Sequence, residues 1–211
     1  MIKVIRLTGA IFILMFTSSC VSNTNHWPAR HGQVIDENSE LPIEGAHVVA
    51  FWKGIASYAT EACFHIESAV SDKEGNFTIP AWTNTGEWTA LKDQHVSFTI
   101  HKKGYVESDK TYGQEQTQKS KYFYLSPTSS ADRISYINDL VQYKTCPESG
   151  DSGQNLVPFL KSAMSDASDA AKTDKDRLVV ITLQRMIDSI EVGDDAAWEI
   201  WRNKKKELDI R

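Results

Sequence analysis

Six histidines, His26, His31, His47, His65, His95 and His101, are the side chains of this chain best suited to move a proton or hold a metal near neutral pH. A metal centre needs three or four donors at one place. The spacing supplies no such group: His-Glu-x-x-His and His-x-x-Glu are absent, and the cysteines do not form the close CxxC pairs that zinc sites favour. No metal ligands are therefore assigned, and no cofactor. His47, His65 and His101 fall in strand-like runs, where two can converge across a sheet. The most concrete catalytic arrangement is a small hydrolase, or an accessory subunit of one, that uses these histidines with a loop acid such as Glu67. It lacks a Gly-x-Ser-x-Gly elbow and a Gly-rich phosphate loop. No catalytic residue is assigned, and the chain is expected not to be an enzyme. The other reactive groups are three thiols, Cys20, Cys63 and Cys146.

The elements that must position these groups change character along the chain. From residue 31 to 127 the text is short apolar–polar runs broken by turn residues, the pattern of a sandwich or barrel. Residues 63–71 alternate, so that Phe64, Ile66 and Ser68 are expected on one face and His65, Glu67 and Ala69 on the other. Residues 72–76 form a hairpin turn with Gly75 at the positive-φ position. Phe77, Phe98 and Ile100 are expected between two sheets. Trp82 and Trp88 flank a polar stretch, 83–92, and a second polar stretch covers 109–120. Loop aromatics bind sugars or partners in some proteins; here they are expected to cover the sandwich edge.

After Pro127 the apolar period lengthens to that of a helix. Ser129 and Asp132 open a first helix carrying Ile134, Ile137, Leu140 and Val141. Asn155 is expected to cap a second, with Leu156, Phe159, Leu160, Ala163, Met164 and Ala167. Thr173 and Asp176 cap a third, with Leu178, Ile181, Met186, Ile187 and Ile190, ending at Gly193. Residues 194–207 form a last helix with Trp198 and Trp201. The basic run 203–206 suits its final turn, where cations oppose the dipole.

Composition bounds the partners. The 211 residues carry a formal charge of −5 and are 41% hydrophobic, enough for a packed core and too acidic for the basic footprint of nucleic-acid binding. No basic face is available to attract anionic lipid.

The first residues form an export leader: Lys3 and Arg6, an apolar run over 10–16, then Thr17, Ser18 and Ser19 before Cys20. The apolar run is shorter than the ~20 residues that span a bilayer. A cysteine directly after small residues resembles the lipobox of bacterial lipoproteins, although Thr17 stands where that family usually has Leu. The resemblance implies loss of residues 1–19, acylation of Cys20, and attachment to the membrane through that lipid. Val21, rather than Asp, resembles the class sorted to the outer membrane and facing the periplasm. A plain secretory signal cut elsewhere is the alternative. With Cys20 lipidated, Cys63 and Cys146 are an even pair that an oxidising compartment can join. Closing about 80 residues would contribute about 3–5 kcal/mol. Two unpaired buried thiols are the alternative.

Four segments in order, GQVID, PIEGAHVVAF, AVSDKEGNFTIP and VSFTIHKKGY, carry a Gly-x-Val strand, a Pro-Ile-x-Gly-Ala segment, an Asp-x-x-Gly-x-Phe hairpin and a Lys-x-Gly-Tyr turn. Together they resemble the carboxypeptidase regulatory-like domain. That family implies a transthyretin-like, Ig-like antiparallel β-sandwich and no reaction of its own. A purine-pathway hydrolase shares the fold but ends in Tyr-Arg-Gly-Ser, whereas this chain ends in ELDIR. The expectation is an α+β protein: leader 1–19, tether 20–30, sandwich 31–127 and helical extension 128–211. Its expected role is a non-enzymatic binding or scaffold module of the envelope, with a protein or glycan partner.

Overall fold

Strand β3 (His47–Ile55) decides the architecture, because it is apolar on both faces. Val48, Ala50 and Trp52 are buried on one side, and Val49 and Phe51 on the other. Such a strand must lie at the centre of a sheet with both faces covered. The computed structural model describes residues 24–56, 60–85, 87–111, 121–143 and 150–208, and β3 is the middle strand of a three-stranded sheet between β4 (Glu61–Val70) and β7 (Lys92–His101).

The Val48 side of β3 faces a four-stranded sheet of order β5-β2-β9-β8, made of β2 (Arg30–Asp36), β5 (Asn76–Ile79), β8 (Tyr105–Glu107) and β9 (Tyr122–Pro127). Val34, Phe77, Ile79, Phe123 and Leu125 of this sheet share one apolar core with Val48, Ala50, Trp52 and Ile100. The Val49 side faces the helices: Val49, Phe51 and Ile66 pack with Ile137, Leu160, Leu183 and Ile187. The order of layers is sheet, sheet, helices, and the class is α+β. A short ribbon of β1 (Thr24–Trp27) and β6 (Trp82–Thr85) closes one end.

Three local expectations are corrected. β2 and β9 run parallel, with Gln33 opposite Tyr122, so the strands are not all antiparallel. Strands so far apart in sequence are not held to hairpin geometry. Second, Thr24–Trp27, expected inside the tether, form β1 by pairing with β6. Third, Phe64 and Ile66 do not share a face. Trp52 pairs with His65 and Lys53 with Cys63, which leaves Phe64 as the extra residue of a β-bulge. Phe64 therefore enters the core between the sheets, while Ile66 and Cys63 pack toward the helices.

The hairpin expected at residues 72–76 is instead a tight turn that carries the chain from β4 in one sheet to β5 in the other, where β5 pairs with β2. The Asp72 carboxylate accepts the Glu74 and Asn76 amides at 3.0 and 2.8 Å, and its carbonyl accepts the Gly75 amide at 2.8 Å. Gly75 has φ +75°, and a Cβ there would lie 2.5 Å from the Val34 carbonyl oxygen.

The helices are α1 (Ser130–Tyr143), α2 (Val157–Ala170), α3 (Asp174–Val192) and α4 (Asp194–Glu207). The Thr173–Asp176 capping box at α3 is complete: the Asp176 amide reaches Thr173 Oγ1 at 3.2 Å and the Thr173 amide reaches Asp176 Oδ2 at 2.9 Å. α3 buries Val179, Ile181, Leu183 and Ile187, so its inner face is rotated from the expected stripe toward Val179 and Leu183. The cap expected at Asn155 is absent. A 3-10 turn, Gly150–Leu156, leads into α2, and Asn155 Nδ2 instead donates to the Ile66 carbonyl at 2.9 Å, fastening the turn along β4. On α4, Trp198 and Trp201 meet edge to face with centroids 5.4 Å apart. Lys204, Lys205 and Lys206 occupy its last turn. Among the described residues no helix is long and apolar enough to cross a membrane.

Candidate functional site

Two places gather groups with chemical potential: a polar seam where β7 meets the helices, and an open cleft between the two sheets. The seam starts from register. His101, the last residue of β7, lies opposite His47 of β3, so two of the strand histidines do converge. His101 is fully buried. Its Nδ1 lies 3.1 Å from Ser162 Oγ on α2, and its Nε2 lies 3.4 Å from Asp166 Oδ2, one turn further along the same helix face. Asp166, also fully buried, faces Arg133 Nη1 of α1 at 3.0 Å and accepts the Gly104 amide at 3.2 Å.

Burial alone would raise the Asp166 pKa. The neighbouring His101 ring, the Gly104 amide and the Arg133 charge outweigh it and hold the carboxyl below its ordinary value. Burial, with the charges of His101 and Lys102, holds His47 below its ordinary value. Serine, imidazole and carboxylate thus lie in one chain of contacts, but the chain runs between layers, with both His101 and Asp166 sealed from solvent. Only Ser162, at one end, is partly exposed. What the seam does is bind the β7–β8 turn, α1 and α2 to one another.

One strand histidine also meets Glu67. His65 Nε2 lies 2.9 Å from Glu67 Oε1. Glu67 stands on β4, not on a loop, and Asn155 Nδ2 lies 3.3 Å from its other oxygen. The His65 ring stacks on Trp82 with centroids 3.7 Å apart and meets the Trp52 edge at 5.2 Å. Burial lowers the His65 pKa, and the Glu67 contact opposes this. Trp82 also packs against Trp52 and Phe64 at one end of the core between the sheets. His26 and His31 contact Thr83 and Thr78, and His95 faces Glu61. Among the described residues no three His, Cys, Asp or Glu side chains are close enough to hold a metal ion. Cys20, Cys146, the Trp88 side chain and residues 112–120 lie outside the described residues.

The cleft was not foreseen. On β2, Arg30, Gly32 and Val34 share the inner face by alternation. Gly32 lets the Phe77 and Phe123 rings pack directly on the β2 backbone: a Cβ there would lie 2.5 Å from Phe77 and 2.9 Å from Phe123. β9 begins opposite Gln33, so Arg30 to Gly32 have no β9 partner among the described residues. The result is an opening of about 680 Å³. Phe77, Phe98 and Phe123 form its floor, with centroids 5.3 to 6.4 Å apart. Arg30 and Lys121 line it, and among the described residues its lining holds no Asp or Glu. Arg30 Nε is buried without a hydrogen-bond partner. Phe77 and Phe98 were expected between the sheets; Arg30 and Phe123 carry no local signal, because only the parallel β2–β9 pairing brings them together. A Gly on the inner face of an apolar strand was the available hint.

A second concavity, about 570 Å³ between α1 and α3, includes Asp176, whose carboxylate is engaged in the α3 cap. Comparison with protein-family models, with curated proteins and with solved structures finds no match to this chain.

Proposed function

We propose that this chain is a lipid-anchored module of the cell envelope, in a cell with two membranes at the periplasmic face of the outer one, that binds a partner through the cleft between its sheets. The fold proposed for the binding unit is the transthyretin-like sandwich of the carboxypeptidase regulatory-like kind. One observation carries the binding reading. The open concavity has an aromatic floor and two cations, whereas the groups suited to acid–base chemistry at His101 and Asp166 are buried in the seam. Anchoring rests on the leader and Cys20.

Metabolic labelling with a clickable fatty acid tests the anchor: wild type should incorporate label and Cys20→Ala should not. Equal labelling overturns acylation at Cys20. Occupancy is tested with Tyr122→Cys at the cleft rim and Leu41→Cys, where Leu41 is 63% exposed and lies outside the cleft. An impermeant maleimide should react more slowly with the first in intact envelopes than in purified protein, and equally with the second. Equal rates for both overturn cleft occupancy.

Cys63 packs against the helical core, and the chain returns from α1 through the 3-10 turn fastened to β4. These placements support a Cys63–Cys146 disulfide. Non-reducing peptide mapping should recover the linked peptides; two alkylatable thiols in envelope material would overturn the bridge. The His65–Glu67 contact favours a second reading, a small hydrolase. Turnover of a chromogenic ester by wild type and not by His65→Gln would put it first.

A further inference from the structure

We infer that the cleft takes a small organic anion with an aromatic body, an aryl carboxylate in its simplest form. The inference rests on the cleft being the binding site and specifies what it recognises. An opening of about 680 Å³ is the size of a small-molecule site rather than a protein interface. Of the three phenyl rings at its floor, Phe77 and Phe123 are buried and Phe98 is partly exposed, so Phe98 is the ring that offers a contact to a planar ligand.

Charge selects the rest. The protein carries a net charge of −5, yet among the described residues the cleft lining holds Arg30 and Lys121 and no carboxylate. An anion is therefore repelled by the protein at large and attracted at this opening. Arg30 has no ion-pair partner among the described residues, and its buried Nε–H is unsatisfied, a state that costs free energy until an acceptor arrives. A guanidinium meets a carboxylate through two parallel hydrogen bonds, a geometry an ammonium cannot supply. Arg30 is fixed on the inner face beside the rings, while Lys121 is exposed at the lip. Arg30 thus grips the charged end and Lys121 steers it inward.

The test is calorimetric titration of the full chain in non-ionic detergent with 2-naphthoate and with its neutral counterpart 2-naphthamide, each corrected for detergent alone. Naphthoate should saturate at one site per chain and bind about tenfold or more tightly than the amide. Arg30→Gln should remove that preference, and Arg30→Lys should restore part of it. Lys121→Gln should weaken naphthoate by a smaller factor and reduce its dependence on salt. Equal affinity for acid and amide overturns the anion assignment but leaves the cleft a binding site. A preference that survives Arg30→Gln places the anion elsewhere and also overturns it. Saturable binding of neither probe, by protein with the wild-type melting temperature, overturns the cleft as a small-molecule site.

Discussion

Removing the Asp166 carboxylate should loosen the helices from the sheets, and the cost follows from what it leaves behind. Asp166 is fully buried and faces Arg133 at 3.0 Å, the Gly104 amide at 3.2 Å and His101 at 3.4 Å. Asp166→Ala leaves the Gly104 amide, His101 Nε2 and the partly exposed Arg133 without this carboxylate, while His101 keeps its contact with Ser162. Breaking a buried pair by deleting one partner costs about 3–5 kcal/mol. With a urea slope of about 2–3 kcal/mol/M for a chain of this size, the midpoint should fall by about 1–2 M. Arg133→Met should also destabilise, and the double variant should cost less than the two single changes together, because the second removes a charge the first had stranded. Asp169→Ala, which breaks an exposed pair with Lys103 on the same turn, should cost no more than about 1 kcal/mol. The carboxyl is held below its ordinary 3.8, so its contribution is complete above that value and is lost as pH falls through the lower folded value. The gap between wild type and Asp166→Ala should therefore be flat from about pH 5 to 8 and shrink below about pH 4. A loss under about 1 kcal/mol for Asp166→Ala, or strict additivity with Arg133→Met, would refute the seam as the fastening of the layers.

Other changes test single elements. His47 is held below its ordinary 6.5, so the unfolded chain takes up the proton first and stability should drop as pH falls from about that value; His47→Gln should flatten urea midpoints measured between about pH 7 and 5. Gly75→Ala forces a side chain into φ +75° and against the Val34 carbonyl, and should cost at least about 1–2 kcal/mol by urea denaturation. Thr173→Ala removes half of the α3 capping box and should cost about 1 kcal/mol, visible as a lower melting temperature.

What could be read in the sequence was what neighbouring residues decide. The turn at Asp72 and Gly75, the box at Thr173 and Asp176, and the helical character of 178–183 depend on contacts a few residues apart, and each formed, although the turn crosses between sheets instead of closing a hairpin. The bulge at Phe64 escaped notice because the partner strand, not the local alternation, creates it. The parallel β2–β9 pairing escaped for the same reason, and the cleft with it. Asp166 sits among Ser165, Asp169 and other polar residues that read as a solvated helix face, and only the position of His101 across the layer makes it a buried anion. Asn155 has the residue type of a helix cap; its side chain instead found an open carbonyl on β4, whose own position is set by β3.

The short ribbon at the start of the fold has a consequence for geometry at the bilayer. β1 is already hydrogen-bonded to β6 at Thr24, four positions beyond Cys20. With acyl chains on that thiol, the leash between lipid and folded body can extend no further than about 14 Å. The body would ride against the headgroups rather than sweep the compartment, with the Thr24 end of the ribbon turned to the membrane. A ligand would have to come to it along the surface, and any larger neighbour it serves would need to lie within that same thin shell.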